Sequence, residues 1–271
     1  MGDYQDADAL SFTGAVKLLP PSCPAKYRYW RDNPEEPTDV FDIGTAAHAL
    51  VFRGAHRIDV IDAKNWQTKA AQTAKKDARA TGRIALLTDQ WQRVQDMAEA
   101  LWRHPIASAL LRGGAFEQSI FWKDTHAGIQ RKARLDFLPH RTPADMYGVD
   151  YKSCANAHPD SCSKALWTYR YCQQAAWYLD AMDAMDLTSA YHTPFHFIFQ
   201  EKTPPYVVTV AQPDTDAIRW GRELNRTAMG IYRECVATQR WGGYDDEVVP
   251  ISLPTWAEYQ LADMDMDAVT A

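Results

Sequence analysis

Met146-Tyr-Gly-Val-Asp-Tyr-Lys-Ser153 begins as an alternating β-former and then sets a carboxylate and an amine two positions apart. Residues two apart in a strand share a face, so Tyr147 and Val149 point one way while Asp150 and Lys152 project together from the other. An acid and a base on a buried strand are expensive without partners or a task. Upstream, Ala115 to Trp122 and Ile129 to Leu138 read as antiparallel strands around the turn Asp124-Thr-His-Ala-Gly128. The second of them carries Asp136 near its end. If it neighbours the third strand, Asp136 and Asp150 converge. Two close carboxylates repel each other unless a cation lies between them, and hard oxygen ligands with room for water suit Mg²⁺ or Mn²⁺. Beside such an ion Lys152 could orient or deprotonate a water, or stabilise charge on a phosphate. On spacing alone, an ordinary ion pair between Asp150 and Lys152 with Asp136 in a turn is the simpler account, because D-x-K is a very short pattern.

Around these strands the pattern is helical. Ser11 opens a short helix that Pro20-Pro21 stops, and Ser22 with Pro24 reads as cap and first turn of another through Trp30. A small-residue helix follows from Asp39 to Arg53, then a basic one from Gln67 to Arg79. Thr88 is expected to cap an amphipathic run with Trp91, Val94, Ala98, Leu101 and Trp102 that ends before His104-Pro105. After Pro159-Asp160-Ser161, a single long helix is expected from Lys164 to Met185. Phe195 to Gln200 and Tyr206 to Val210 read as a hairpin, and Asp214 caps a closing helix to Ala237. The order implies an α/β fold: a central mixed sheet of about five strands flanked by helices, its third strand central. One domain over residues 1–245 is expected, mainly helical over 1–112 and α/β over 113–240, followed by an acidic tail, 246–271.

Composition narrows the class. At 271 residues, 46% hydrophobic and 24% charged, the chain is globular in type. A mean hydropathy of -0.44 and the lack of a long uncharged apolar run imply no membrane span. The start, Met1-Gly-Asp-Tyr-Gln-Asp6, has no basic or apolar leader, and five scattered cysteines suit reduced thiols, so a cytoplasmic location is expected. The net charge of -6 resides mostly in the tail, where seven acids and no base lie from Asp245 onward. Between Arg57 and Arg83 seven bases face three acids. Such a segment is compatible with a polyanion, and equally with a solvated helix face.

Four segments in order resemble the PD-(D/E)XK nuclease superfamily, and more closely the RecE-type (exonuclease VIII) recombination exonucleases of phages and prophages. They are Gly44-Thr-Ala-Ala-His48, Gln130-Arg-Lys-Ala-Arg-Leu-Asp136, Gly148-Val-Asp-Tyr-Lys-Ser153 and Tyr169-Arg-Tyr-Cys-Gln-Gln-Ala-Ala-Trp-Tyr178. The resemblance spans roughly residues 11–200, including the less diagnostic strand Glu117-Gln-Ser-Ile-Phe-Trp122. It implies a restriction-endonuclease-like core and a metal held by His48, Asp136, Asp150 and the carbonyl of Tyr151, with Gly44 allowing close backbone approach. Lys152 is implied as the catalytic lysine. Gln174 and Tyr178 match a Q-x-x-x-Y motif whose members share a helix face and could hold the lysine or a scissile phosphate. Leu135 replaces the usual proline before the acid, and Ser153 the usual threonine; the reactive groups are intact.

The activity so implied is Mg²⁺-dependent hydrolysis of linear double-stranded DNA from its ends, in the 5′ to 3′ sense, leaving single strands for recombination. Mn²⁺ could substitute. Implied partners are duplex DNA ends, sister subunits in a ring of three or four, and a single-strand annealing protein. Lys69, Lys75, Lys76, Arg79 and Lys164 are the expected phosphate contacts. Rival readings are a structure-specific or restriction-like endonuclease and a non-catalytic DNA-binding protein on the same fold. Cys154, Cys162 and Cys172 are too far apart for the grouped cysteines of iron–sulphur nucleases, so no cluster is expected. A zinc site on Cys154, His158 and Cys162 has no recognised spacing.

Overall fold

The computed structural model describes Tyr4 and residues 7–34, 43–53, 58–188 and 193–263. Ser11 closes a two-residue strand, β1 (Leu10–Ser11), and caps α1 (Phe12–Leu18) by accepting from the Gly14 amide at 3.2 Å. Helix α2 (Pro24–Asp32) starts on Pro24, but its cap is Cys23 and not Ser22. Helix α3 (Ile43–Arg53) carries His48; the part of the expected helix before Ile43 lies outside the described residues.

The basic stretch holds its expected helix and also two flanking strands that were not expected. It forms β2 (Ile58–Ile61), α4 (Lys69–Ala80) and β3 (Ile84–Leu87), with the two strands paired in parallel. Four-residue apolar runs have no legible period, so nothing in the sequence separated these strands from helix ends. Helix α5 (Thr88–Arg103) buries Val94, Met97, Ala98 and Leu101; its cap is Leu87, whose amide is taken by the Gln90 side chain at 2.9 Å, and Trp102 is exposed. Helix α6 (Pro105–Leu110) is capped by His104.

The main sheet begins with β4 (Gly114–Asp124) and β5 (Ile129–Pro139), joined by the expected turn, in which the Asp124 carboxylate accepts from the His126 and Ala127 amides at 3.1 and 2.8 Å. Strand β6 (Gly148–Cys154) follows. The long helix expected next is two, α7 (Pro159–Thr168) and α8 (Tyr171–Asp183), broken at Arg170, which adopts φ 58°. Strands β7 (Phe195–Glu201) and β8 (Val208–Ala211) form the hairpin, and Asp214 caps α9 (Thr215–Thr238), accepting from Ala217 at 2.7 Å. A last helix, α10 (Thr255–Asp263), lies within the acidic stretch.

One edge of β5 pairs with β4 along its length; the other pairs with β1 at Arg131 and Lys132 and with β6 at Phe137. β6 then pairs in parallel with β7, and β7 antiparallel with β8. The sheet is therefore mixed, and β6 is central as its composition implied.

Helices cover both faces. On one, Phe52 of α3 packs with Val149, Tyr151 and Ile198; on the other, Trp177 of α8 packs with Ala133 and Leu135. Helix α9 backs α8 so closely that a Cβ on Gly221 would stand 2.2 Å from the Cys172 carbonyl oxygen. Two bases buried on β5 have the partners that such burial demands. Arg131 lies over the rings of both Trp122 and Trp177, at 4.6 and 3.9 Å, and pairs with Asp124 and Asp180 at 3.0 and 3.2 Å. Lys132 donates to the carbonyls of Tyr4 and Ala7, holding the N-terminal segment. No described helix is long and apolar enough to cross a membrane.

Candidate active site

The site lies where the ladder between β5 and β6 gives out. Their register, set by Phe137 opposite Val149, brings Asp136 level with Asp150, yet no ladder pair forms there. On the other edge of β5, the register with β4 puts Glu117 level with Asp136, and that position too is skipped, with Glu117 at φ 54°. Three neighbouring strands thus carry a carboxylate at one level. Like charges directly across strands destabilise a sheet unless something cationic meets them.

Two cationic side chains do. From α3, His48 Nε2 stands 3.0 Å from Asp136 Oδ1, and its Nδ1 3.9 Å from Glu117 Oε1. From β6 itself, Lys152 Nζ stands 2.5 Å from Asp150 Oδ1. The Tyr151 amide donates to Asp136 Oδ2 at 3.3 Å. Helix α8 closes the floor. Gln174 donates to Asp150 Oδ2 at 2.9 Å, and Tyr178, one turn later, lies in the field of both Asp150 and Asp136. Asp150 Oδ2 is therefore hydrogen-bonded, while the buried Oδ1 has the Lys152 charge beside it but no hydrogen-bond partner among the described residues.

Strand β6 is held in this orientation from its other face. The Tyr151 hydroxyl donates to Gln200 Oε1 at 2.7 Å, and the Gln200 amide donates to the Met97 carbonyl of α5 at 2.8 Å. A fully buried glutamine with both ends engaged resists any rotation of Tyr151, and hence of Asp150 and Lys152.

The protonation states follow from this crowding. Burial pushes Asp150 up to about 6, the charge of Asp136 adding to it and that of Lys152 opposing. Burial alone would raise Asp136 too, but the hydrogen bond and charge of His48 hold it below the usual carboxylate value. His48 is raised, because Asp136 and Glu117 outweigh the cost of its burial. Lys152 is raised likewise, desolvation being overcome by Asp150 and Asp136.

The donor set suits a hard divalent cation. Ligand atoms of His48, Glu117 and Asp136 lie within 4.8 Å of one another, a geometry that one ion could span. Asp150 adjoins this trio electrostatically, with its oxygens turned to Lys152 and Gln174. Of the residues that the sequence nominated, His48, Asp136, Asp150, Tyr151, Lys152, Gln174 and Tyr178 are gathered here. Lys69, Lys75, Lys76 and Arg79 lie on α4, which joins β2 to β3 and is not among the elements that carry the site residues; the first and the last two are exposed and Lys75 lies over Trp66. Lys164 is exposed on α7. Glu117 was passed over as a site residue. The signal that could have found it is arithmetic: with a turn centred on residues 126–127, residue 117 falls opposite Asp136. All five cysteines are free thiols.

Comparisons with known proteins bear on the fold and the family. The crystal structure of a Eubacterium rectale protein described as a "putative exonuclease" superposes with a TM-score of 0.61 at 12% identity, covering 100% of this chain and 97% of that one. At such identity the likeness establishes the fold. A second crystal structure, of SSO0001, gives a TM-score of 0.38 at 10% identity over 87% of this chain and 78% of the other, too distant to support an inference. No curated protein matches the sequence. Residues 15–248 match the family described as a PDDEXK-like domain of unknown function (DUF3799), and the chain is a member of that family.

Proposed function

We propose that this protein is a Mg²⁺-dependent deoxyribonuclease that degrades linear duplex DNA from its ends in the 5′ to 3′ sense and leaves single strands for recombination. Membership of a PDDEXK-like family supports a nuclease of that superfamily. The observation that carries the reading is the row of Glu117, Asp136 and Asp150 on three adjacent strands, met by His48 on one side and Lys152 on the other. A merely structural ion pair would need one acid and one base. Three acids cost more than His48 and Lys152 return unless a further cation shares the site.

His48, Glu117, Asp136 and Asp150 would hold that cation, and the Tyr151 carbonyl is the remaining donor the family resemblance implies. A bound Mg²⁺ supplies Lewis acidity toward a phosphodiester and a lower pKa for an attacking water. The chain's own groups do the rest. Lys152, kept protonated by Asp150 and Asp136, neutralises charge building on the phosphate oxygens. Gln174 fixes the Asp150 carboxylate, and Tyr178 lies in the field of Asp150 and Asp136. The exonuclease sense, ring assembly of three or four subunits and cooperation with a single-strand annealing protein belong to this proposal.

The test uses end-labelled linear and closed circular duplexes with Mg²⁺ or EDTA, and wild type beside Asp150→Ala. Label should be lost only from linear DNA, and only with metal and Asp150 present. Cutting of closed circles would favour an endonuclease; equal digestion by the variant would reject the centre.

A further inference from the structure

The ring system beside Lys152 does not stop at the site. Lys152 Nζ lies 4.8 Å from the centroid of Tyr171. Tyr171 packs inward on Phe197 and outward on Tyr169, each at 5.4 Å between centroids and tilted by 30°. Phe197 is buried, Tyr171 half-buried, and Tyr169 is 62% exposed. Two residues before Tyr169, Trp167 is 65% exposed and has the Arg170 guanidinium 4.0 Å from its ring centroid. A single exposed aromatic is ordinary. Here two lie within three residues, and one ends a stack that begins in the core and passes the catalytic lysine.

The backbone is shaped to present them. Arg170 holds a left-handed conformation, φ 58°, which is sparsely populated for any residue but glycine. That conformation separates α7 from α8, and so turns Tyr169 to solvent while Tyr171 stays inside. Arg170 donates from Nη2 to the Pro20 carbonyl at 3.2 Å, while its buried Nη1 has no hydrogen-bond partner among the described residues. Lys164, one turn before Trp167 on the same side of α7, is exposed. Ring faces interleaved with cations, continuous with Lys152, match a polyanion that also carries flat apolar groups.

We propose that Trp167 and Tyr169 are a stacking platform for unpaired nucleobases of the strand whose phosphate lies at Lys152. The substrate the site takes is then a frayed or single-stranded DNA end, since bases within a duplex have no free face to offer. This rests on the nuclease reading. Base stacking on an aromatic is sequence-tolerant, because every base has a π-face, and is worth about 1–3 kcal/mol per base.

The test is binding of a short fluorescein-labelled oligothymidylate to the full chain in EDTA, against the same strand built of abasic tetrahydrofuran spacers. Wild type should bind the abasic strand about tenfold more weakly, a loss of about 1.4 kcal/mol. Trp167→Ala/Tyr169→Ala should lose a similar factor on oligothymidylate and nothing further on the abasic strand, while Tyr169→Phe binds as wild type does. Equal wild-type affinity for the two strands, or losses that multiply, would overturn the platform. So would a variant that binds normally but sediments as a smaller particle, which would assign the surface to contacts between copies. A wild type that cuts DNA yet ignores the bases rejects the platform alone. One that cuts nothing under any metal rejects the nuclease reading and the platform with it.

Discussion

Asp150 and His48 both bind protons more tightly than usual, for opposite reasons: one is a buried acid, the other a base beside two acids. Both must release them to ligate a cation, since carboxylate and neutral imidazole are the binding forms. Divalent-metal affinity is therefore expected to rise between pH 5 and 8, with proton release on binding. The sign follows because Asp150, raised to about 6, and His48, also raised, are more protonated at the acid end of that window. Calorimetry with Mn²⁺ in buffers of different ionisation enthalpy reads the protons directly. Glu117→Gln removes one of the two acids beside His48 and should weaken Mn²⁺ binding by about 10–100-fold. Affinity unchanged in that variant would remove Glu117 from the site.

Among the elements, α8 has the narrowest tolerance, because it supplies Gln174 and Tyr178 on its sheet side while α9 presses on its other side. Gly221 is the point of closest approach, where a methyl group would meet backbone and not a movable side chain. Gly221→Ala is expected to destabilise the fold by about 1–3 kcal/mol, read as a lower denaturation midpoint, and to reduce cleavage as Gln174 is displaced from Asp150. Gly230→Ala, on the same helix with open space around it, should leave the midpoint unchanged or raise it. The contrast separates packing from propensity.

At the scale of the whole molecule, charge is divided between surfaces. Lys69, Lys76 and Arg79 stand exposed on α4, and Lys164 on α7. If these contact phosphates, log affinity for duplex DNA falls linearly with log salt, and reversing Lys69, Lys76 and Arg79 to Glu flattens that slope by about one unit per lost contact. Titration by fluorescence anisotropy at several salt concentrations measures it. An unchanged slope would leave α4 as a solvated face. The acidic end is separate in character. Trp241 packs on Tyr27, and the Tyr244 hydroxyl donates to the Pro21 carbonyl, but Val248, Ile251, Trp256 and Tyr259 are exposed.

Much of the architecture was legible in the sequence, because period-two and period-3.6 patterns follow from local backbone geometry. The sequence by itself determined that β4, β5 and β6 follow one another, that Asp124 turns the first pair, and that Asp150 and Lys152 share a face. Family-like spacing nominated His48, Gln174 and Tyr178. It did not reveal the four-residue strands β2 and β3, which are too short for a period. Nor did it reveal the break at Arg170: a left-handed residue leaves no mark in composition unless it is glycine or asparagine. Only the tertiary structure decided that Glu117 joins Asp136 and His48, and that Asp150 is turned to Lys152 and Gln174. The physical reason is that contact across a sheet depends on register and on where ladders end. Those are set by the sum of packing on both faces, and not by any residue's neighbours in the chain.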